Sequence, residues 1–237
     1  RLSEVFGTRT LKIDEMMRRL DLYTLSIRSV DAQDSETRTA LDAYSRGVNA
    51  WIGQVNAKAR GRGAPEMFFF SNEISAWQPA DSIAIVKLMA LQLSGQLESE
   101  VLRARTSLLL PDARLRDILP DFEGPAITAL PDYASLVPGP LPGGTPQRMA
   151  DDPLSPFKHR VFAGASNAWA AAPERSAAGG SLLANDPHLT FTAPTIWYLA
   201  RLELSSGGVI GATIPGVPAV LLGRSEKLGW GLTSSYL

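Results

Sequence analysis

The sequence has 237 residues, is 45% hydrophobic and carries a net charge of −1, so it can build a sizeable core and has no bulk electrostatic reason to seek nucleic acid. It contains no cysteine, which excludes disulfides, thiol catalysis and cysteine-based zinc sites but leaves the redox compartment open. The most apolar run, residues 83–93, includes Lys87 and Gln92 and falls short of the roughly 20 apolar residues needed to cross a bilayer, so no membrane span is expected.

Residues 1–120 read as helical. Asp34 or Ser35 can cap a helix in which Leu41, Tyr44, Val48, Trp51, Ile52 and Val55 recur at spacings of three and four, a stripe expected to face a core. Pro79 and Asp81 open a second candidate running from about 82 to 109. It is apolar nearly all round in its first half, which should be buried, and charged at Glu98, Glu100, Arg103 and Arg105 after that. From Pro120 to Pro156 the chain has nine prolines, with Pro138-Gly139-Pro140 and Pro142-Gly143-Gly144 among them. These exclude regular helix and predict an exposed, flexible segment.

Beyond residue 166 the texture becomes short β-prone runs. Residues 166–172 and 181–184, separated by the turn formers of 173–180, predict a hairpin. Further strands are expected at 195–204, 209–213, 220–223 and 228–233, with Gly207-Gly208 and Ser225-Glu226-Lys227 as turns. Helices followed by an antiparallel sheet make an α+β arrangement.

The chemistry centres on Ser166 in Gly164-Ala165-Ser166-Asn167-Ala168-Trp169. Small residues precede it, a β-prone run follows, and the proline-rich segment lies upstream, a context that suits self-cleavage. Breaking the Ala165–Ser166 bond would leave one residue holding both a hydroxyl nucleophile and a free α-amine. That amine, with a pKa near 8, can serve as general base. The small Gly164 and Ala165 leave room for the strained turn that attack on the Ala165 carbonyl requires. A nucleophile elbow is not indicated, since Gly164-x-Ser166-x-Ala168 lacks its second glycine and there are only two histidines, His159 and His188. A Ser166–His188 triad hydrolase working in an uncleaved chain stays open, as does an unprocessed binding or structural homologue.

Four ordered blocks carry a resemblance: Ser166-Asn167-Ala168-Trp169-Ala170, Leu183-Ala184-Asn185-Asp186-Pro187-His188-Leu189, Ile214-Pro215-Gly216-Val217-Pro218 and Leu228-Gly229-Trp230-Gly231-Leu232-Thr233. Together they resemble the penicillin acylase family of N-terminal-nucleophile hydrolases. Upstream, Arg1-Leu2-Ser3-Glu4-Val5-Phe6-Gly7, Tyr44-Ser45-Arg46-Gly47-Val48-Asn49-Ala50-Trp51 and Leu93-Ser94-Gly95 resemble its α-subunit, so the likeness covers the whole chain. It implies an αββα fold and a piece of a longer precursor: 1–120 from a helical α-subunit, 121–165 as the excised spacer, and 166–237 as the start of a β-subunit.

The resemblance also implies roles for particular residues. Ser166 would attack an N-acyl amide, giving an acyl-enzyme that water hydrolyses. His188 would orient the nucleophile, as in acylases of cephalosporins and lactones, and points away from penicillin G. The backbone N–H of Ser234, with Ser235 one step off, would be an oxyanion donor. The second donor, an asparagine, lies downstream, and neither Asn167 nor Asn185 replaces it; Asn185, Asp186 and Pro187 would instead fix the loop presenting His188. Glu100 resembles a calcium ligand between the subunits, though a solvated helix face beside Arg103 explains it equally well. The aromatic residues Trp169, Trp197, Trp230 and Phe68-Phe69-Phe70 are read as core rather than acyl pocket. An α/β heterodimer, a small N-acyl substrate and a periplasmic or secreted location complete the expectation.

Overall fold

The computed structural model describes residues 2–58, 61, 63, 73–93, 96–118, 166–189 and 193–233, without the side chains of 96–101 and 112. Within them the chain forms α1 (Ser3–Phe6), α2 (Leu11–Leu20), α3 (Leu22–Asp31), α4 (Ser35–Asn56), α5 (Pro79–Leu93), α6 (Gln96–Ser107) and α7 (Asp112–Ile118). The strands are β1 (Asn167–Ala171), β2 (Leu182–Asp186), β3 (Tyr198–Leu204), β4 (Gly207–Thr213), β5 (Leu222–Arg224) and β6 (Gly229–Trp230). Helices precede antiparallel sheets, as the α+β reading expects. The spacer expected at 121–165, with His159, and the Phe68-Phe69-Phe70 run lie outside the described residues.

Local chemistry explains the helix ends. Asp34 caps α4 by accepting from the Thr37 N–H at 2.8 Å, satisfying one of the donors a helix start leaves free. Near the N-terminus the buried Asp14 carboxylate accepts from the Leu2 N–H (2.8 Å), the Ser3 N–H (2.9 Å) and the Ser3 hydroxyl (2.6 Å), tying α1 to α2.

Two asparagines on α4 grip the segment that leads into α5. Asn49 exchanges two hydrogen bonds with the Trp77 backbone (2.7 and 2.9 Å), and Asn56 does the same with Ile74 (2.9 and 3.0 Å). The match is geometric. Seven helical residues rise about 10 Å, close to what three extended residues cover. The polar side chains thus imitate a β-ladder and hold α5 against α3 and α4.

Helices and sheets meet where the β4–β5 connection enters the helical layer. Of the seven buried apolar residues among those described, five are helical (Ile13, Leu41, Val55, Ala80, Leu115) and two, Ile214 and Val217, come from this connection. The buried apolar residues are thus mainly helical, joined by two from this connection, and burying each of those two side chains contributes about 2 kcal/mol. At its tip the Gly216 N–H donates to the Tyr44 hydroxyl at 2.9 Å. Gly216 has φ +98°, and a Cβ there would lie 2.2 Å from Ile85 Cδ1 and about 3.1 Å from the Trp77 ring, so only glycine fits both the backbone and the space.

The two sheets are β1–β2, with Asn167 opposite Asp186 and Ala171 opposite Leu182, and β3–β4–β5–β6 in chain order. Tyr198, Leu202 and Leu204 share one face of the second sheet and are at least half exposed.

Of the helix expected at 82–109, α5 and α6 are described, and residues 94–95 between them lie outside the described residues. Three expectations need correction. The first half of α5 is mostly half-buried, with Val86 exposed, because α3 and α4 cover only part of its all-round apolar surface. Trp51 is 49% exposed since it sits at the edge of the α4 stripe, whose centre follows Leu41, Ser45, Ile52 and Val55. Finally, the β3–β4 hairpin closes at Ser205-Ser206, and Gly207 and Gly208 already pair with Leu204 and Glu203; the two-residue loop matches strand twist.

Two outcomes follow in urea unfolding. Gly216→Ala should cost about 3 kcal/mol, whereas Gly47→Ala, exposed within α4 with open space around its Cβ, should add about 0.5–1 kcal/mol. The second concerns acid. The Ser3 hydroxyl, then the Ser3 and Leu2 N–H groups, holds the Asp14 carboxyl well below the usual carboxylate range against the opposing effect of burial. A lowered folded-state pKa means that this stabilisation is present above the unfolded value of about 3.9 and is lost as pH falls further. Asp14→Asn should therefore be the less stable chain at pH 7 and lose less stability than the parent between pH 4 and pH 2.

Candidate active site

Ser166 sits just before β1, half-buried, with the ladder beginning one residue later at Asn167. Its carbonyl oxygen accepts a hydrogen bond from the Thr233 hydroxyl at 2.9 Å, across 67 positions of sequence. The chain that leads to Ser234 is thereby brought against the candidate nucleophile. Ser234 and Ser235 themselves, and Ala165 on the other side of the expected cleavage point, lie outside the described residues.

Asn185 on β2 makes this arrangement. Its side-chain N–H₂ donates to the Asn167 carbonyl (2.7 Å) and the Leu232 carbonyl (3.0 Å), and its amide oxygen accepts from the Leu232 N–H (3.0 Å). One amide uses donors and acceptor together and joins the hairpin to the segment beyond β6. The β-ladder stops at Trp230 because the next residues turn their hydrogen bonds to Asn185 and Ser166. Gly231 permits the approach, since a Cβ there would lie 2.9 Å from Asn185. A Cβ on Gly229 would likewise meet Leu183 at 2.9 Å. Asn185 therefore does more than fix the loop around His188, because its partners lie on β1 and beyond β6.

His188 lies two residues past β2, at the hairpin end that also carries Ser166. Its Nε2 is 2.6 Å from Asp186 Oδ2, and both side chains are exposed (41% and 63%), so water weakens the pair and it contributes little to stability. The Leu189 N–H donates to the Pro187 carbonyl at 3.1 Å, closing a tight turn that presents the imidazole. Among the described residues no hydrogen bond joins His188 to Ser166.

Glu100 falls within α6, but its side chain is outside the described set. Among the described residues no three acidic or histidine side chains gather as a metal cage, and no helix is long and apolar enough to cross a membrane. An open groove between α4, α5 and the β4–β5 connection is bordered by Leu41, Ile83, Val86, Val217 and Pro218 and does not include Ser166.

Sequence reasoning missed the hydroxyl of Thr233 and the long reach of Asn185. Its one available signal was Gly231, a glycine inside a strand-like run, which marks close approach by another part of the chain.

The penicillin amidase family model matches residues 1–237. The chain is 30% identical, over 241 residues, to an acyl-homoserine lactone acylase QuiP of Pseudomonas fluorescens (strain Pf0-1), covering 99% of this chain and 28% of that protein. It is 29% identical to the acyl-homoserine lactone acylase QuiP of Pseudomonas aeruginosa, covering 98% and 27%. It is 28% identical to the penicillin acylase 2 proenzyme of Pseudomonas sp. (strain SE83), covering 100% and 30%. The chain thus spans less than a third of the length of these curated relatives. No solved structure matches it.

Replacing Asn185 by alanine should lower stability by about 1–2 kcal/mol. It should also speed amide exchange at Leu232 and leave exchange in the β3–β4 ladder unchanged. Hydrogen exchange read by NMR checks this.

Proposed function

The chain belongs to the penicillin amidase family, and on that premise we propose that it carries the nucleophile end of an N-acyl amide hydrolase. The fold is read as that of an N-terminal-nucleophile hydrolase, and Ser166 is activated by cleavage of the Ala165–Ser166 bond. The observation that carries this reading is the hydrogen bond from Thr233 to the Ser166 carbonyl, which sets Ser166 beside the chain leading to Ser234.

In this mechanism the Ser166 Oγ attacks the acyl carbonyl while the α-amine, directly or through water, takes the hydroxyl proton. The oxygen that becomes negative accepts from the Ser234 N–H. The C–N bond then breaks, the leaving amine takes the proton, and the acyl group remains as an ester on Ser166 until water hydrolyses it. His188, held by Asp186, orients the nucleophile. The names of the relatives make acyl-homoserine lactones the first substrates to test and N-acyl β-lactams the second. Glu100 as one ligand of a structural calcium, an α/β heterodimer and a periplasmic or secreted location belong to the same proposal; no catalytic step passes through the calcium.

The Asp186–His188 pair favours one competing reading, a Ser166–His188–Asp186 triad. The two readings differ in whether an uncut chain works. Expressed from the full-length gene, the parent should yield a new terminus reading Ser-Asn-Ala-Trp, seen by intact mass and N-terminal sequencing. Ser166→Ala should stay uncut and lose hydrolysis of a graded acyl-homoserine lactone series by at least about a thousandfold. Hydrolysis by an uncut parent chain would select the triad instead.

A further inference from the structure

We propose that Thr233 is a positioning residue whose hydroxyl sets the Ser166 main chain for attack; this rests on the reading of Ser166 as an N-terminal nucleophile. The ladder that holds β1 begins at Asn167, so Ser166 stands outside it. In this structure its backbone is held by the Thr233 hydroxyl at 2.9 Å. Thr233 is in turn fixed, since its neighbour Leu232 is bonded through both N–H and C=O to Asn185 and Gly231 packs against the same side chain. The hydroxyl therefore reaches Ser166 from a braced segment.

The contact matters twice. In the uncut chain, Ser166 Oγ bonds to the Ala165 carbonyl carbon through a five-membered ring, the C–N bond breaks, the proton from Oγ passes to the nitrogen, and water hydrolyses the resulting ester. A pinned Ser166 carbonyl removes one rotation from the search for that ring. In the cut chain Ser166 is the terminal residue, and the rigid peptide plane it shares with Asn167 can turn about the Asn167 N–Cα bond. The same hydrogen bond holds that plane, and with it the Cα from which the amine and hydroxyl project. Proximity effects of this kind act on turnover rather than on substrate binding.

The test compares Thr233→Val, which keeps shape and loses the donor, with Thr233→Ser, which keeps the donor, both in the full-length gene product. Readouts are melting temperature, rate of cleavage before Ser166 by intact mass, and kcat and KM on an acyl-homoserine lactone. Because Thr233 is exposed, Thr233→Val should melt with the parent. Its cleavage and kcat should fall about tenfold or more with KM unchanged, and Thr233→Ser should restore both. The proposal is overturned if Thr233→Val cleaves and turns over like the parent, if Thr233→Ser is as slow as valine, or if the slowing merely tracks a lowered melting temperature. A parent that is itself never cut sinks the N-terminal-nucleophile reading, and the positioning role with it. A cut parent with a normal valine variant sinks the positioning role alone.

Discussion

Among the described residues the two sheets share no backbone ladder; beside the Thr233–Ser166 bond, what joins them at the candidate site is the side-chain amide of Asn185. Its two donated bonds and one accepted bond give the segment after β6 a partner it would otherwise lack. The Leu232 groups are exposed and could turn to water, so what Asn185 supplies is a fixed partner and with it a direction for this segment. Ser166, at the edge of one sheet, and Thr233, beyond the edge of the other, meet because Asn185 first aligns the chains on which they sit. Gly231 and Gly229 belong to the same device, each leaving the space that a Cβ would fill.

The helical layer supports that arrangement from a distance. The Ile214–Val217 connection sinks into it, capped by the bond from Gly216 to Tyr44, and the Asn49 and Asn56 clasps set α5 and Trp77 where the connection lands. The sheet whose last strand leads to Thr233 is thus fixed to the helices through its β4–β5 connection. The pattern is economical in apolar burial: few side chains are fully buried among the described residues, and specific polar bonds over long sequence separations make up the register.

Much of this was legible in the residues. The Asp34 cap, the β1–β2 hairpin and the order of helices before strands follow from local signals: a capping side chain, β-prone runs and turn formers. What escaped was non-local. Nothing near Asn185 in sequence indicates that its amide would reach Leu232, 47 positions away, since an Asn before Asp-Pro reads first as a local turn former. Thr233 looks like one more β-branched residue until Ser166 is seen beside it. The hairpin at Ser205-Ser206 was misplaced because glycine pairs are the stronger turn signal, although ladder register chose the serines. Trp51 was placed inward by a spacing rule that does not separate the centre of a stripe from its edge.

The account stands on Ser166 acting as a terminal nucleophile. The most direct measurement is to mix the full-length product with an acyl-homoserine lactone, quench it in acid during turnover, and find the acyl group by peptide mass spectrometry. The account predicts an added acyl mass on a peptide whose first residue is Ser166. An acyl group on Ser166 inside an uncut chain, or on another residue, would contradict it.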